Sequence, residues 1–123
     1  MEAQMDEALR NLLTNNFDAR FAENSDTAKK IVSGSISKNT IVGIGDSATV
    51  RQIGIIEELE KKGVRVLNPF SRELTTDPAK TALRDNISRQ IFSCDVFVCG
   101  TNAVTRDGKL VNTHEHIAGK DLP

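Results

Sequence analysis

Residues 40–67 read TIVGIGDSATVRQIGIIEELEKKGVRVL and contain two short apolar runs on either side of a charged, amphipathic segment. The first run, residues 40–44, is rich in β-branched side chains, which is typical of a strand buried on both faces. Residues 48–62 carry apolar side chains at helical spacing, and Gly63 is suited to end such a helix in the left-handed conformation. Residues 64–67 predict a second strand. The segment therefore predicts a compact β-α-β unit.

The predicted helix 48–62 has an apolar side and a charged side. Gly54 lies in its middle, where glycine costs roughly 1 kcal/mol relative to alanine. We therefore expect a closely packed neighbour to need the space at this position. The inward side chains are Val50, Ile53, Ile56 and Leu59, and those expected to face water are Glu57, Glu58, Glu60, Lys61 and Lys62.

The chain after residue 67 predicts one more helix and one more strand. Residues 71–76 are polar and predict a connection, and Asp77 followed by Pro78 is suited to begin a helix. That helix is expected to extend to about Phe92, and residues 95–100 predict a third buried strand. The apolar stripe of this helix consists of Ala79, Leu83, Ile87 and Ile91.

Strands that alternate with helices predict an α/β fold with a mostly parallel sheet, flanking helices and right-handed crossovers. Three strands are few for such a sheet, and its open edges would be a liability. Two hypotheses follow: the chain pairs with a copy of itself as a homo-oligomer, or it lacks strands that its natural parent possesses. Beyond the third strand, Asp107-Gly108 predicts a hairpin turn.

The remaining segments complete the predicted domain organisation. Residues 7–20 and 25–34 have helical spacing, and we interpret residues 1–38 as an N-terminal helical arm. Residues 39–112 are the predicted α/β core. Residues 113–123 are polar and are expected to form a divergent or disordered tail.

Composition excludes several classes of function. Sixteen Lys and Arg against 17 Asp and Glu give a net charge of -1, so the chain lacks the basic field that attracts nucleic acid. No apolar run approaches a membrane span, and the acidic N-terminus does not resemble a signal peptide. Two cysteines, Cys94 and Cys99, fit a reducing compartment and are expected to be buried small hydrophobes. We therefore expect a cytoplasmic protein without nucleic-acid or membrane partners.

The strongest functional signal is the turn between the first strand and its helix. Backbone N–H groups at a helix N-terminus favour an anion, glycines allow close approach, and an arginine adds a bidentate donor. The pattern is neither a dinucleotide-binding fingerprint nor a P-loop. The alternative is a plain turn in which Asp46 or Ser47 caps the helix. The candidate ligand-binding residues here are Gly43, Gly45, Asp46, Ser47, Thr49, Arg51 and Gln52.

A second cluster of polar residues follows the third strand and is expected at the same C-terminal edge of the sheet. Ligands of open α/β sheets bind along that edge. The candidates are Thr101, Asn102, Thr105 and Asn112, and the alternative is that such residues only form turns. The segment His114-Glu115-His116 is interpreted as part of an unstructured tail, and no metal site is predicted.

Four segments together resemble the LUD domain family, the lactate-utilisation proteins of the LutC/YkgG type. They are residues 16–21, 43–54, 68–70 and 95–112, and the resemblance covers most of residues 7–112. It implies a fold of the NagB/RpiA/CoA-transferase-like superfamily, in which the first glycine-rich loop commonly receives a phosphate or similar anion. It also implies a role in bacterial oxidation of L-lactate to pyruvate beside iron–sulfur partner subunits. No cysteine cluster is present, so an iron–sulfur centre would belong to a partner.

The segment after Asn112 departs from the pattern of similar proteins, which continue into a further turn and strand. We therefore expect the core to be truncated at its C-terminus. The first interpretation is an accessory domain that binds an anionic small molecule at the Gly45–Thr49 loop. The alternative is an enzyme of the sugar-phosphate isomerase or acyl-CoA transferase type, with Asp46 or Asp107 as its acidic group. A third possibility is a purely structural subunit.

Overall fold

The computed structural model describes residues 2–101 and 103–112 of the 123-residue chain. The chain divides into two compact units: a core unit of residues 22–100, and a hairpin unit that combines residues 1–21 with residues 101–123. This division differs from the predicted arm of residues 1–38, because residues 22–38 belong to the core unit. Among the described residues, no helix is both long enough and apolar enough to cross a membrane.

The core unit contains a parallel sheet of three strands. The strands are β1 (Ile41–Ile44), β2 (Arg65–Leu67) and β3 (Val96–Val98), in the order β2-β1-β3. Val42 of β1 lies opposite Val66 on one side and Val96 on the other. The predicted α/β fold with a parallel sheet is confirmed, and β1 is its central strand.

One face of the sheet carries the hydrophobic core. Val42 and Ile44 project from β1 into a buried cluster that includes Leu59, of which no surface is exposed. Helices α3 (Ala48–Gln52) and α4 (Ile55–Lys62) supply most of the rest of this cluster, and helix α2 (Ser25–Gly34) packs against it through the partly buried Val32. The cluster is completed by two residues outside the helices, Ile36 and Val64. Of the predicted inward residues, Val50, Ile56 and Leu59 are buried and Ile53 is partly buried.

The predicted helix 48–62 is in fact two helices that meet at Gly54. Gly54 adopts φ +75, and the amide of Ile53 closes α3 by donating to Thr49 O at 3.1 Å. The expectation that a close neighbour needs the space is wrong. A Cβ placed on Gly54 would have its nearest neighbours at 3.8 Å, which is ordinary van der Waals contact. Glycine is required here because the left-handed backbone disfavours other residues.

Lys62 at the end of α4 is exposed, as predicted, and its side chain also makes hydrogen bonds. Its Nζ donates to the carbonyl oxygen of Ser33 at 2.7 Å and to that of Ile36. These carbonyls lie at and just beyond the last turn of α2, where a positive charge also complements the helix dipole. Lys62 therefore joins α4 to the C-terminal end of α2.

The opposite face of the sheet is covered by the connection between β2 and β3. This connection contains α5 (Arg72–Thr76), a 3₁₀ turn (Pro78–Lys80), α6 (Thr81–Gln90) and a second 3₁₀ turn (Ile91–Ser93). The polar connection predicted for residues 71–76 is therefore wrong, and the helix predicted up to Phe92 is interrupted. Asp77 caps as expected, since its carboxylate accepts from the amide of Ala79 at 3.0 Å. The predicted stripe is only partly covered, and Leu83 is half exposed.

Strand β3 is an edge of the sheet rather than a buried strand. Its middle residue, Phe97, is 52% exposed, while Val96 and Val98 pack against the core cluster. The prediction of a third buried strand is wrong for this reason. Cys94 is half-buried and Cys99 is exposed, so the expected burial fails for Cys99.

The hairpin unit contains a helix and two short strands. Helix α1 spans Glu2–Thr14, and β4 (Ala103–Val104) pairs antiparallel with β5 (Leu110–Val111), which confirms the predicted hairpin. The predicted helix 7–20 begins earlier and ends earlier than expected. It ends because Asn16 adopts φ 71, a left-handed position in which the Phe17 amide closes the last turn on Leu12 O at 3.0 Å.

We expect Gly54→Ala to lower the free energy of unfolding by about 1–2 kcal/mol, the cost of a left-handed backbone for a residue with a Cβ. Gly54→Asn should cost less, because asparagine tolerates this conformation better. Chemical denaturation measures both. Gly34→Ala is the control: it lies in α2 with nothing within 4 Å of an added Cβ, so it should not destabilise. Equal stabilities of the Gly54→Ala and Gly34→Ala variants would contradict this account of the helix break.

Candidate functional site

The loop that follows β1 lies where the two connections of the sheet diverge. The connection from β1 to β2 contributes Val50 and Leu59 to the core face. The connection from β2 to β3 passes over the other face, where Ile91 and Cys94 approach Gly43. In open α/β sheets, ligands bind beyond the carboxyl ends of the strands at such a divergence. The predicted loop is therefore at the edge of the sheet where a ligand is expected.

Gly45 holds this loop against the end of β3. Its amide donates to Val98 O at 2.9 Å, which extends the pairing between β1 and β3 by one residue. A Cβ on Gly45 would lie 2.8 Å from Cys99 Cβ and 3.0 Å from the Phe97 ring. Packing alone thus requires glycine at position 45. Gly43 is similarly confined, with Cys94 Sγ 3.0 Å from the position of a Cβ.

Ser47 is the N-cap of α3, as the capping alternative predicted. Its Oγ accepts from the amide of Val50 at 3.2 Å. The same Oγ lies 2.6 Å from the position that a Cβ would occupy on Gly100, at the end of the core unit. Ser47 therefore fixes the first turn of α3, and Gly100 leaves it the space to do so.

Asp46 and Arg51 form an ion pair across the start of α3. The guanidinium Nη1 of Arg51 donates to Asp46 Oδ1 at 2.8 Å, and both side chains keep substantial solvent exposure. Thr49 and Gln52 are exposed residues of the same short helix. The structure thus brings together Gly45, Asp46, Ser47 and Arg51, and the loop carries a positive and a negative charge in contact.

The second group of predicted residues belongs to the hairpin unit. Thr101 and Asn112 are exposed, Thr105 is half-buried, and Asn102 lies outside the described residues. That these residues face the Gly45–Thr49 loop stays a prediction. The segment His114-Glu115-His116 also lies outside the described residues.

Thr105 is the centre of a hydrogen-bond network in the hairpin turn. Its hydroxyl donates to the Asp107 carboxylate and accepts from the amide of Lys109 at 2.9 Å. The Thr105 hydroxyl holds the pKa of Asp107 below its ordinary value, and Lys109 acts in the same direction, while desolvation opposes them. Lys109 Nζ completes the network with an ion pair to Asp107 at 3.4 Å.

A small cavity in the core unit is lined by none of the predicted site residues and was not predicted. Its volume is about 80 Å³ and it is lined by Ile41, Arg65, Leu67, Gln90 and Ser93. Typical ligand pockets have about 300–1,000 Å³, so this cavity has the size of a hydration site. Its lining comes from three separate segments, and no local pattern in the sequence could have indicated it.

Metal-binding chemistry finds no support in residues 2–101 and 103–112. No group of three or more His, Cys, Asp or Glu side chains in this part of the chain is placed to hold a metal ion. The chemistry that the described residues offer at the predicted loop is that of hydroxyl, amide and guanidinium donors beside one carboxylate. Such donors bind and orient an anion.

Comparison with known proteins identifies the family. The chain matches the family model of the LUD domain over residues 5–121, which is nearly its whole length. No curated protein and no solved structure matches it. The match includes the loop after β1, both connections of the sheet and the hairpin. The chain therefore belongs to the LUD domain family.

Proposed function

We propose that this chain is an accessory domain of bacterial L-lactate oxidation, of the LutC/YkgG type, that binds a small anion at the Gly45–Thr49 loop in the cytoplasm. One observation carries the proposal: the loop follows the central strand at the point where the sheet's two connections leave on opposite faces. Ligands of open parallel sheets bind at this position.

The charges at the loop favour an oxyanion with two acceptor oxygens. Arg51 presents a planar guanidinium with several donors, and its Nη1 donates to Asp46 Oδ1 at 2.8 Å. A carboxylate or phosphate accepts two parallel hydrogen bonds from such a group. Since the Arg51 side chain is about half exposed, an incoming anion can reach it without rearrangement of the core.

The arrangement favours binding over catalysis. An enzyme of the isomerase or transferase type requires a general base or a nucleophile free to act on its substrate. Asp46, the acidic residue of this loop, is committed to an ion pair with Arg51. The oxidation itself is then the work of iron–sulfur partner subunits, and this chain supplies a ligand-binding surface.

Substitutions of the ion pair should shift anion affinity in opposite directions. Arg51→Gln removes the donor and should weaken the binding of inorganic phosphate, whereas Asp46→Asn removes the competing carboxylate and should strengthen it. Exposed ion pairs contribute about 0.2–1 kcal/mol, so each substitution should change the phosphate affinity by a factor of roughly 1.4 to 5. Titration by nuclear magnetic resonance at low ionic strength measures such weak affinities.

The control is a second exposed ion pair in the hairpin unit, Asp18 with Arg20 at 3.0 Å. Asp18→Asn makes the same change of charge and should leave phosphate affinity unchanged. If Asp46→Asn weakens binding, or if Asp18→Asn matches its effect, the loop is not the anion site.

A thermal-unfolding screen should identify the class of anion. A ligand at a hundred times its dissociation constant adds about 2.7 kcal/mol of stability, which raises the melting temperature by several degrees in a domain of this size. We expect a shift with lactate, pyruvate or another small oxyanion and no turnover of sugar phosphates or CoA thioesters. Turnover of either substrate would establish the enzyme alternative, and the absence of any shift would favour a structural subunit.

A further inference from the structure

Asn11 of helix α1 and Asn15, just beyond the end of that helix, bind the turn of the hairpin. Asn11 Nδ2 donates to Arg106 O at 2.6 Å. Asn15 Nδ2 donates to Gly108 O at 2.9 Å and to Asp107 O at 3.2 Å. The two asparagines are four residues apart, which places them on one face at the end of α1. Three consecutive carbonyl groups of the turn therefore have partners from a segment more than 90 residues earlier in the chain.

Gly108 brings the turn into contact with the helix backbone. It is buried and adopts φ +84, and a Cβ at this position would lie 2.7 Å from Asn11 O and 2.8 Å from Asn15 Nδ2. A residue with a side chain would therefore meet both backbone strain and a steric clash. The contact between α1 and the turn depends on this glycine as well as on the asparagines.

The hairpin needs this support because its ladder is short. Strands β4 and β5 have two residues each, and an isolated two-stranded hairpin is at best marginally stable in water. Within the turn, Thr105 N donates to Lys109 O at 2.9 Å, and the Gly108 amide donates to Thr105 O at 3.1 Å. These bonds fix the same residue whose hydroxyl binds Asp107 and Lys109.

We infer that Asn11 and Asn15 are positioning residues, which hold the 105–109 turn and thereby set the direction of the Thr105 hydroxyl. Thr105 is among the predicted ligand-binding residues. Any effect of the turn on ligand binding therefore rests on the proposed function. The positioning itself rests only on the contacts within the hairpin unit. Because the coupling between the turn and α1 is reciprocal, a change in the turn should also weaken the hydrogen bonds at the end of α1.

The first test removes both donors without adding charge. In Asn11→Ala/Asn15→Ala, amide exchange at Gly108 and Lys109 should accelerate about fivefold, the effect of losing one hydrogen bond of average strength. The helix itself is not weakened by this change, because alanine is the better helix former. The Thr105–Asp107 hydrogen bond should loosen, so the pKa of Asp107 should rise toward its ordinary value in a titration followed by nuclear magnetic resonance.

Two controls separate positioning from general destabilisation. Asn86→Ala changes an exposed asparagine of α6 and should affect neither readout. Amide exchange of Val42 and Ile44 in the core unit should stay unchanged in all variants. The inference is wrong if the double variant and the unmodified protein have the same amide exchange rates at Gly108 and Lys109 and the same pKa of Asp107.

A second variant tests the coupling from the side of the turn. Gly108→Ala places a Cβ against the backbone of Asn11, so the amide of Asn15, which donates to Asn11 O at 2.9 Å, should exchange faster. Unchanged exchange at Asn15 would overturn the reciprocal coupling.

Phosphate titration then separates this inference from the proposed function. If Thr105→Ala weakens phosphate binding, Asn11→Ala/Asn15→Ala should weaken it as well. Faster exchange with unchanged affinity in both variants would retain the positioning of the turn and show that Thr105 takes no part in anion binding. If no anion binds, the proposed function fails, while the exchange measurements still decide whether the asparagines hold the turn.

Discussion

The alternation of side-chain size along β1 is the constraint on which the rest of the core unit depends. Val42 and Ile44 are fully buried on one face, where they anchor the helices of the core. Because successive residues of a strand point to opposite faces, Gly43 and Gly45 occupy the other face. Their missing side chains leave space for Ile91, Cys94 and Cys99 at contact distance. Residues 42–45 thus pack against the hydrophobic core on one face of the sheet. On the other face they leave space for the connection between β2 and β3 and for the end of β3.

Those parts of the fold that local chemistry determines could be predicted from the sequence. Residues 41–44 and 65–67 form strands, Gly63 ends α4 with φ +90, and Asp107-Gly108 forms the hairpin turn. The break at Gly54 could not be predicted from periodicity. Val50 and Ile56 are both buried on either side of it, so the apolar pattern continues although the backbone does not.

The predictions were wrong or incomplete where the environment of a residue depends on residues that are distant in the sequence. Strand β3 has the composition of a buried strand, yet its exposure is set by its place at the edge of the sheet, and Phe97 is left half exposed. Lys62 is exposed as predicted, but its hydrogen bonds to Ser33 O in α2 and to Ile36 O just beyond that helix could not be predicted. For the candidate site, the position of the loop at the edge of the sheet could be predicted from the order of strands and helices along the chain. The close packing that requires glycine at position 45 could not be predicted, because it depends on where Cys99 lies. The asparagines that hold the hairpin turn carried no motif at all.

On the proposed function, Ser47 connects the stability of α3 with the charge of the loop. Its cap on the Val50 amide fixes the first turn, and Arg51 lies one turn beyond, where its guanidinium contacts Asp46. An anion that binds to Arg51 replaces the carboxylate of Asp46. The net free energy of anion binding is therefore the difference between two charge-assisted ion pairs and is small. Selectivity then comes from charge and geometry: an oxyanion with two acceptor oxygens gains a second hydrogen bond that a monodentate anion does not. On this proposal, the ion pair favours weak, reversible binding of an oxyanion that offers two acceptor oxygens to Arg51.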